Sequence, residues 1–233
     1  MEQPGASTRL TGAVQDLASH VVSALRSGDH TGVLPAAVTA AGDDTLGLAA
    51  VRVLGADALL PGVALGKPTD ADDLAVFEQA VRAFPPAPDA APTTRWSHWA
   101  MRRLVSADSA AGGADGDEPS TAWLDVAPWQ VLTHQLAVLA ALAVPAVPGE
   151  ESGVFRAAAR RPVDVARGFV RAVRRRDWHQ AAAAGRWLTL LPDVPDTLGL
   201  ERGLEFVELM GGTDPRVDLH LRAARLLCAG APV

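Results

Sequence analysis

The chain has 233 residues, 48% of them hydrophobic, and a net charge of −6. That size and apolarity suffice for a large core without cross-links, which sets disorder aside, and the acidic balance argues against a general nucleic-acid binder. A single cysteine, Cys228, excludes an intramolecular disulfide and points to a reducing compartment, and the lack of tyrosine removes any phenolic acid or base.

Residues 1–10 carry one arginine and no apolar run, so no secretory leader is expected and the location expected is cytoplasmic. Twenty arginines against one lysine, Lys67, together with 45 alanines suggest a GC-rich bacterial genome. Charge is unevenly spread. Residues 1–150 hold 8 basic and 17 acidic side chains, a balance of −9, whereas residues 151–233 hold 13 and 10, a balance of +3.

No segment alternates apolar and polar residues with period two, while 3.6-residue spacing recurs throughout. The spacing predicts an all-α array of ten helices over 9–27, 31–41, 45–59, 70–84, 94–107, 121–144, 163–176, 178–191, 197–210 and 215–229. Three sections are expected: an N-terminal helical unit over 1–92, central helices over 93–150 with an acidic, glycine-rich loop at 107–120, and a C-terminal unit over 151–233.

In the first section Asp44-Thr45-Leu46-Gly47-Leu48 stands out because it returns as Asp196-Thr197-Leu198-Gly199-Leu200. Upstream, Val22, Ala24, Arg26 and Asp29 match Val170, Ala172, Arg174 and Asp177 in spacing. An internal duplication of a four-helix unit is therefore expected, with Asp44 and Asp196 as helix caps and Gly47 and Gly199 at equivalent helix contacts. The stretch Ala41–Leu48 is also similar, over eight residues, to the C-terminal metal motif of the ADP-ribosylglycohydrolases, all-helical magnesium enzymes. That resemblance implies Asp43, Asp44 and Thr45 as ligands. The family's N-terminal acidic motif has no counterpart in this chain, and the stretch lies near the opposite end.

Thr69 followed by Asp70, Asp72 and Asp73 reads as the acidic first turn of an amphipathic helix, its acids on the surface at the positive end of the dipole. Leu74, Phe77, Val81 and Phe84 form its apolar face, and Pro85-Pro86 ends it. The central section is rich in tryptophan. Trp96, His98, Trp99, Trp129 and His134 are the candidate ligand pocket, offering apolar walls with polar tips; the plainer alternative is core filling. The run 126–149 has no charged residue but is broken by Pro128, Pro145 and Pro148, so it is expected as a central buried helix rather than a membrane span.

Eight of the 21 residues over 156–176 are arginines. On the helix expected there, Arg167, Arg171, Arg174 and Arg175 share one face, opposite Ala166, Phe169, Val170 and Val173. They form a candidate basic face for docking a partner. The competing expectation is pairing with Glu201, Glu205 and Glu208, an acidic stripe at i, i+4, i+7. Asp214-Pro215 opens the last helix, whose core face is Val217, Leu221, Ala224 and Cys228, with Asp218 and Arg222 as an i, i+4 pair.

No catalytic, metal or cofactor motif appears; the six histidines form neither His-x-x-x-His nor Glu-x-x-His elements. No cofactor is expected. The function expected is that of a non-catalytic interaction or adaptor protein on a helical-repeat-like scaffold, with another protein as partner and no nucleic acid or membrane span. The alternative is a small-molecule-binding protein or helical enzyme built on the tryptophan–histidine centre.

Overall fold

The first helix, α1 (Pro4–Ser27), buries Val14, Leu17, Ala18, Val21, Val22 and Leu25, an i, i+3, i+4, i+7 stripe that needs partners along its whole length. The computed structural model, which describes residues 4–29, 31–64, 66–108, 117–144 and 151–229, supplies them with other helices. Helix accounts for 76% of the described residues and no strand occurs among them, so the fold is all-α as the spacing predicts.

The chain divides into two compact units, residues 1–117 and 118–233. In the first, α2 (Val33–Ala40), α3 (Asp44–Leu54), a 3-10 segment (Gly55–Leu59), α4 (Leu60–Ala64), α5 (Ala71–Ala83) and α6 (Pro92–Asp108) follow α1. Helix α3 packs on α1, α2 and α5, and α6 closes over α5 and the 3-10 segment with Trp96 and Met101 fully buried. The stretch Asp44–Ala64 is apolar and long enough to cross a membrane by composition, with mean hydropathy 1.6 over its most apolar 18 residues, and 67% of those 18 are buried.

The second unit contains α7 (Ala122–Asp125), α8 (Trp129–Val138), a 3-10 segment (Ala140–Leu142), α9 (Gly153–Ala159), α10 (Pro162–Arg174), α11 (Trp178–Leu188), a 3-10 segment (Asp196–Leu198), α12 (Leu200–Gly211) and α13 (Pro215–Ala229). Its centre is α11, where every residue from Ala181 to Leu188 is buried against α8, α10, α12 and α13. Small residues make this possible. A Cβ on Gly168 would lie 2.1 Å from the buried Thr133 side chain, so α8 and α10 meet at that glycine.

Several expectations change in the folded chain. The section expected as a separate centre over 93–150 is shared between the units, because α6 packs on α5 whereas α8 packs on α10 and α11. The helix expected over 121–144 is broken. Pro128, which cannot donate a helical N–H, stands as N-cap of α8, and α8 leaves Val131 and Val138 about half exposed rather than ringed by neighbours. The two copies of the shared pentapeptide also fold differently. Gly47 sits inside α3, where a Cβ would fall 2.8 Å from Val38 Cα, and its helix is capped by Asp43 rather than Asp44. Gly199 instead takes φ +59° ahead of α12 with no atom near its Cβ position, so the equivalence expected for the two glycines is absent. Residues 109–116 of the expected acidic loop, His30 and the side chain of Cys228 lie outside the described residues.

Candidate functional site

The five residues expected to line a pocket belong to different units. Trp96, His98 and Trp99 are on α6 in the first; Trp129 and His134 are on α8 in the second. Trp96 is fully buried, edge-on to Trp99 with ring centroids 5.0 Å apart, and Arg103 lies over the Trp99 ring at 5.1 Å. His98 is held below the ordinary imidazole range, first by burial and then by the nearby Arg52 guanidinium. His134 is exposed on α8, while Trp129, at the first turn of that helix, faces α10.

The arginine-rich stretch sorts into two groups by what each guanidinium touches. Arg156 pairs with Glu118 at 3.1 Å and Arg160 with Asp125. Arg161 grips Asp164 through Nε and Nη2 (2.9 and 2.7 Å) and donates from Nη1 to the carbonyls of Leu124 and Ala127 at 3.1 and 2.7 Å, which ties the start of α10 to the end of α7. These three are structural clips.

The four arginines of the expected basic face lie further along α10, and all are exposed. Arg167 reaches back to Asp164 at 3.3 Å. Arg171 lies over the Trp129 ring, 5.6 Å from its centroid, a cation–π contact. Arg174 and Arg175 form no ion pair among the described residues. Their place at the end of α10 complements the helix dipole, worth about 0.3–1 kcal/mol for such a position. The expected pairing with the α12 stripe does not form: Glu208 takes both nitrogens of Arg225 on α13, with Nη1 at 2.8 Å, and neither Glu201 nor Glu205 pairs with α10.

The same four arginines and Trp129 border an open groove of about 720 Å³. Its other walls are residues the sequence did not single out: Val163, Ala166 and Val170 on α10, with Pro195, Thr197 and Leu198 from the segment before α12. Of the apolar face expected opposite the arginines, Ala166 and Phe169 are buried, with Val165 and Ala172 beside them, whereas Val170 is 42% exposed. A signal for this was present: Val163 and Val170 are seven residues apart, two turns, on the side of α10 next to the arginines.

A second polar cluster lies inside this unit. Arg186, Asp218 and His220 are buried, and Arg186 Nε–H donates to the Ala143 carbonyl at 3.1 Å. The rings of His179 and His220 meet edge-on at 5.1 Å. Burial first, and then the Arg216 charge, push His179 down to about 4 despite the opposing Asp214 and Asp177. His220 falls well below its ordinary value, from burial and then from His179, Arg186 and Arg216. Both rings are therefore neutral near pH 7, and the cluster reads as a structural element between α11 and α13.

Asp43, Asp44 and Thr45, implied as metal ligands by the resemblance noted above, start α3. Asp43 accepts the Leu46 N–H at 3.2 Å and faces Arg9 at 3.8 Å. Among the described residues no group of three or more histidine, cysteine, aspartate or glutamate side chains is gathered to hold a metal. Compared with protein-family models, curated proteins and solved structures, the chain matches none.

Proposed function

We propose that this chain is a non-catalytic interaction or adaptor protein of the cytoplasm, and that its second unit docks an acidic segment of a protein partner in the α10 groove. One observation carries the reading. Among the described residues Arg174 and Arg175 lack ion pairs and Arg171 rests on a tryptophan ring, while Arg156, Arg160 and Arg161 a few residues away are committed to carboxylates and carbonyls. An acidic chain that leaves guanidinium groups uncompensated along an open groove presents a complementary field to carboxylates. Arginine suits the task, since its planar fork holds a carboxylate by two hydrogen bonds and stays charged at any physiological pH.

The test is a comparison of captures from the native host, made with the wild-type protein and with Arg171→Glu/Arg174→Glu/Arg175→Glu. The reading expects a partner held by the wild type, released as salt rises, and missing from the variant. Screening over about 8 Å at physiological ionic strength is the reason for the salt dependence. Equal capture by both proteins would overturn it.

A further inference from the structure

The groove is not a uniformly charged surface. Val163 is 47% and Val170 42% exposed, and with Ala166 between them they make an apolar strip along two turns of α10, about 10 Å at 1.5 Å per residue. Leu198 lines the same groove from the segment before α12. Arg167, Arg171 and Arg174 repeat at i, i+4, i+7 and run beside that strip with the same period. A small hydrated anion would use the guanidinium groups and gain nothing from the valines. A segment carrying both carboxylates and an apolar side chain would use both, and would take the valines out of water at the same time.

We infer, resting on the docking reading above, that the groove selects an amphipathic acidic helix of a protein partner, whose apolar side chains seat on Val163, Ala166, Val170 and Leu198 while its carboxylates meet Arg171, Arg174 and Arg175. The partner helix carries leucine-like residues on one stripe at i, i+3, i+7, matching the length of the strip, and acids along the flank of that stripe. Charge sets the encounter and the orientation; the apolar contact sets the discrimination between acidic sequences.

The experiment uses two labelled synthetic peptides of about fifteen residues, long enough to form a helix on binding. Both are built from glutamate and alanine; one carries leucines at i, i+3, i+7 and the other serines in their place. Binding is read by fluorescence anisotropy against the full chain, Val163→Ser/Val170→Ser, and Arg171→Glu/Arg174→Glu/Arg175→Glu, each checked for retained helix by circular dichroism. The leucine peptide is expected to bind the wild type about tenfold tighter than the serine peptide, a difference of about 1.4 kcal/mol. The valine variant should lose that advantage and keep its affinity for the serine peptide, and the arginine variant should bind neither. Equal affinity of the two peptides for the wild type, or an undiminished leucine advantage in the valine variant, would overturn the amphipathic selection and leave acidic docking standing. Failure of both peptides to bind the wild type, or unchanged binding to the arginine variant, would overturn both.

Discussion

Arg52 in the first unit and Arg174 in the second carry the same side chain to opposite ends. Arg52, half-buried on α3, donates from Nε to the Phe84 carbonyl at 3.2 Å, from Nη1 to Ser97 Oγ at 3.1 Å and from Nη2 to the Thr94 carbonyl at 3.2 Å. It fastens the end of α5 and the start of α6 to α3, and its N–H donors are engaged within the fold. Arg174 makes no such bonds among the described residues and borders an open groove. Acidic residues divide in the same way. Asp73, on α5, is buried and accepts the Leu34 N–H at 2.7 Å, capping α2 from 39 residues away, whereas Glu201 on α12 is exposed. Charge density in a sequence therefore does not by itself reveal use. What matters is whether each guanidinium or carboxylate finds a partner in its own unit.

That contrast can be sharpened by substitution, beginning with the contact that holds the second unit's helices in place. Gly168→Leu forces a side chain into the space of buried Thr133, where even a Cβ would lie 2.1 Å away. The expected loss is more than about 3 kcal/mol, enough for the groove-bearing unit to melt well before the first. Calorimetry on the whole chain would read this as two separated transitions, and a single unshifted transition would show that α8 and α10 do not depend on that approach.

Acid should also act on the second unit. His179 is depressed to about 4 in the fold against an unfolded value near 6.5, and His220 is depressed as well. A histidine with a lowered folded pKa contributes its full stability above pH 6.5 and loses it as pH falls from there toward 4, because the unfolded chain takes up the proton first. His179 alone accounts for roughly 3 kcal/mol over that window. Urea unfolding at pH 7 and pH 4.5 should show the loss, and His179→Gln should reduce it, leaving the part that belongs to His220; a loss unchanged by that substitution would contradict the role of His179.

Arg52→Ala should cost the first unit about 2 kcal/mol, since it strips hydrogen bonds from two backbone carbonyls and a hydroxyl on α5 and α6. The loss should appear in urea midpoints monitored on the first unit. A neutral result would mean that Arg52 is as dispensable to folding as Arg174.

Much of the helix content was legible because apolar spacing and caps agree at the local level. Asp70 accepts the N–H groups of Asp72 and Asp73 at 3.2 Å, and Asp214 accepts the Arg216 N–H at 2.9 Å at the start of α13, both within a turn of the residues that announce them. What the sequence could not disclose depends on distant partners. Asp73 reads as a surface acid beside Asp70 and Asp72 until α2 arrives to be capped. His179 and His220 are 41 residues apart and meet only because α11 and α13 pack together. The basic face was visible as a period on α10, but its groove was not, since Leu198 and Pro195 come from another segment and Val170 turns outward rather than into the core. The shared pentapeptide misled for the same reason: identical residues gave a close approach of α3 to α2 at Gly47 and a left-handed turn at Gly199 because their neighbours differ.

On the docking proposal, Arg171, Arg174 and Arg175 serve recognition more than folding. The most direct measurement pairs thermal stability with acidic-peptide affinity for Arg171→Glu/Arg174→Glu/Arg175→Glu, at low and at physiological salt. Charge reversal is expected to lower the unfolding free energy by no more than about 2 kcal/mol at physiological salt, through the helix dipole and the lost Trp129 contact, and to weaken binding at least about a hundredfold at low salt. A variant that melts early while holding the peptide as tightly as the wild type would contradict the proposal.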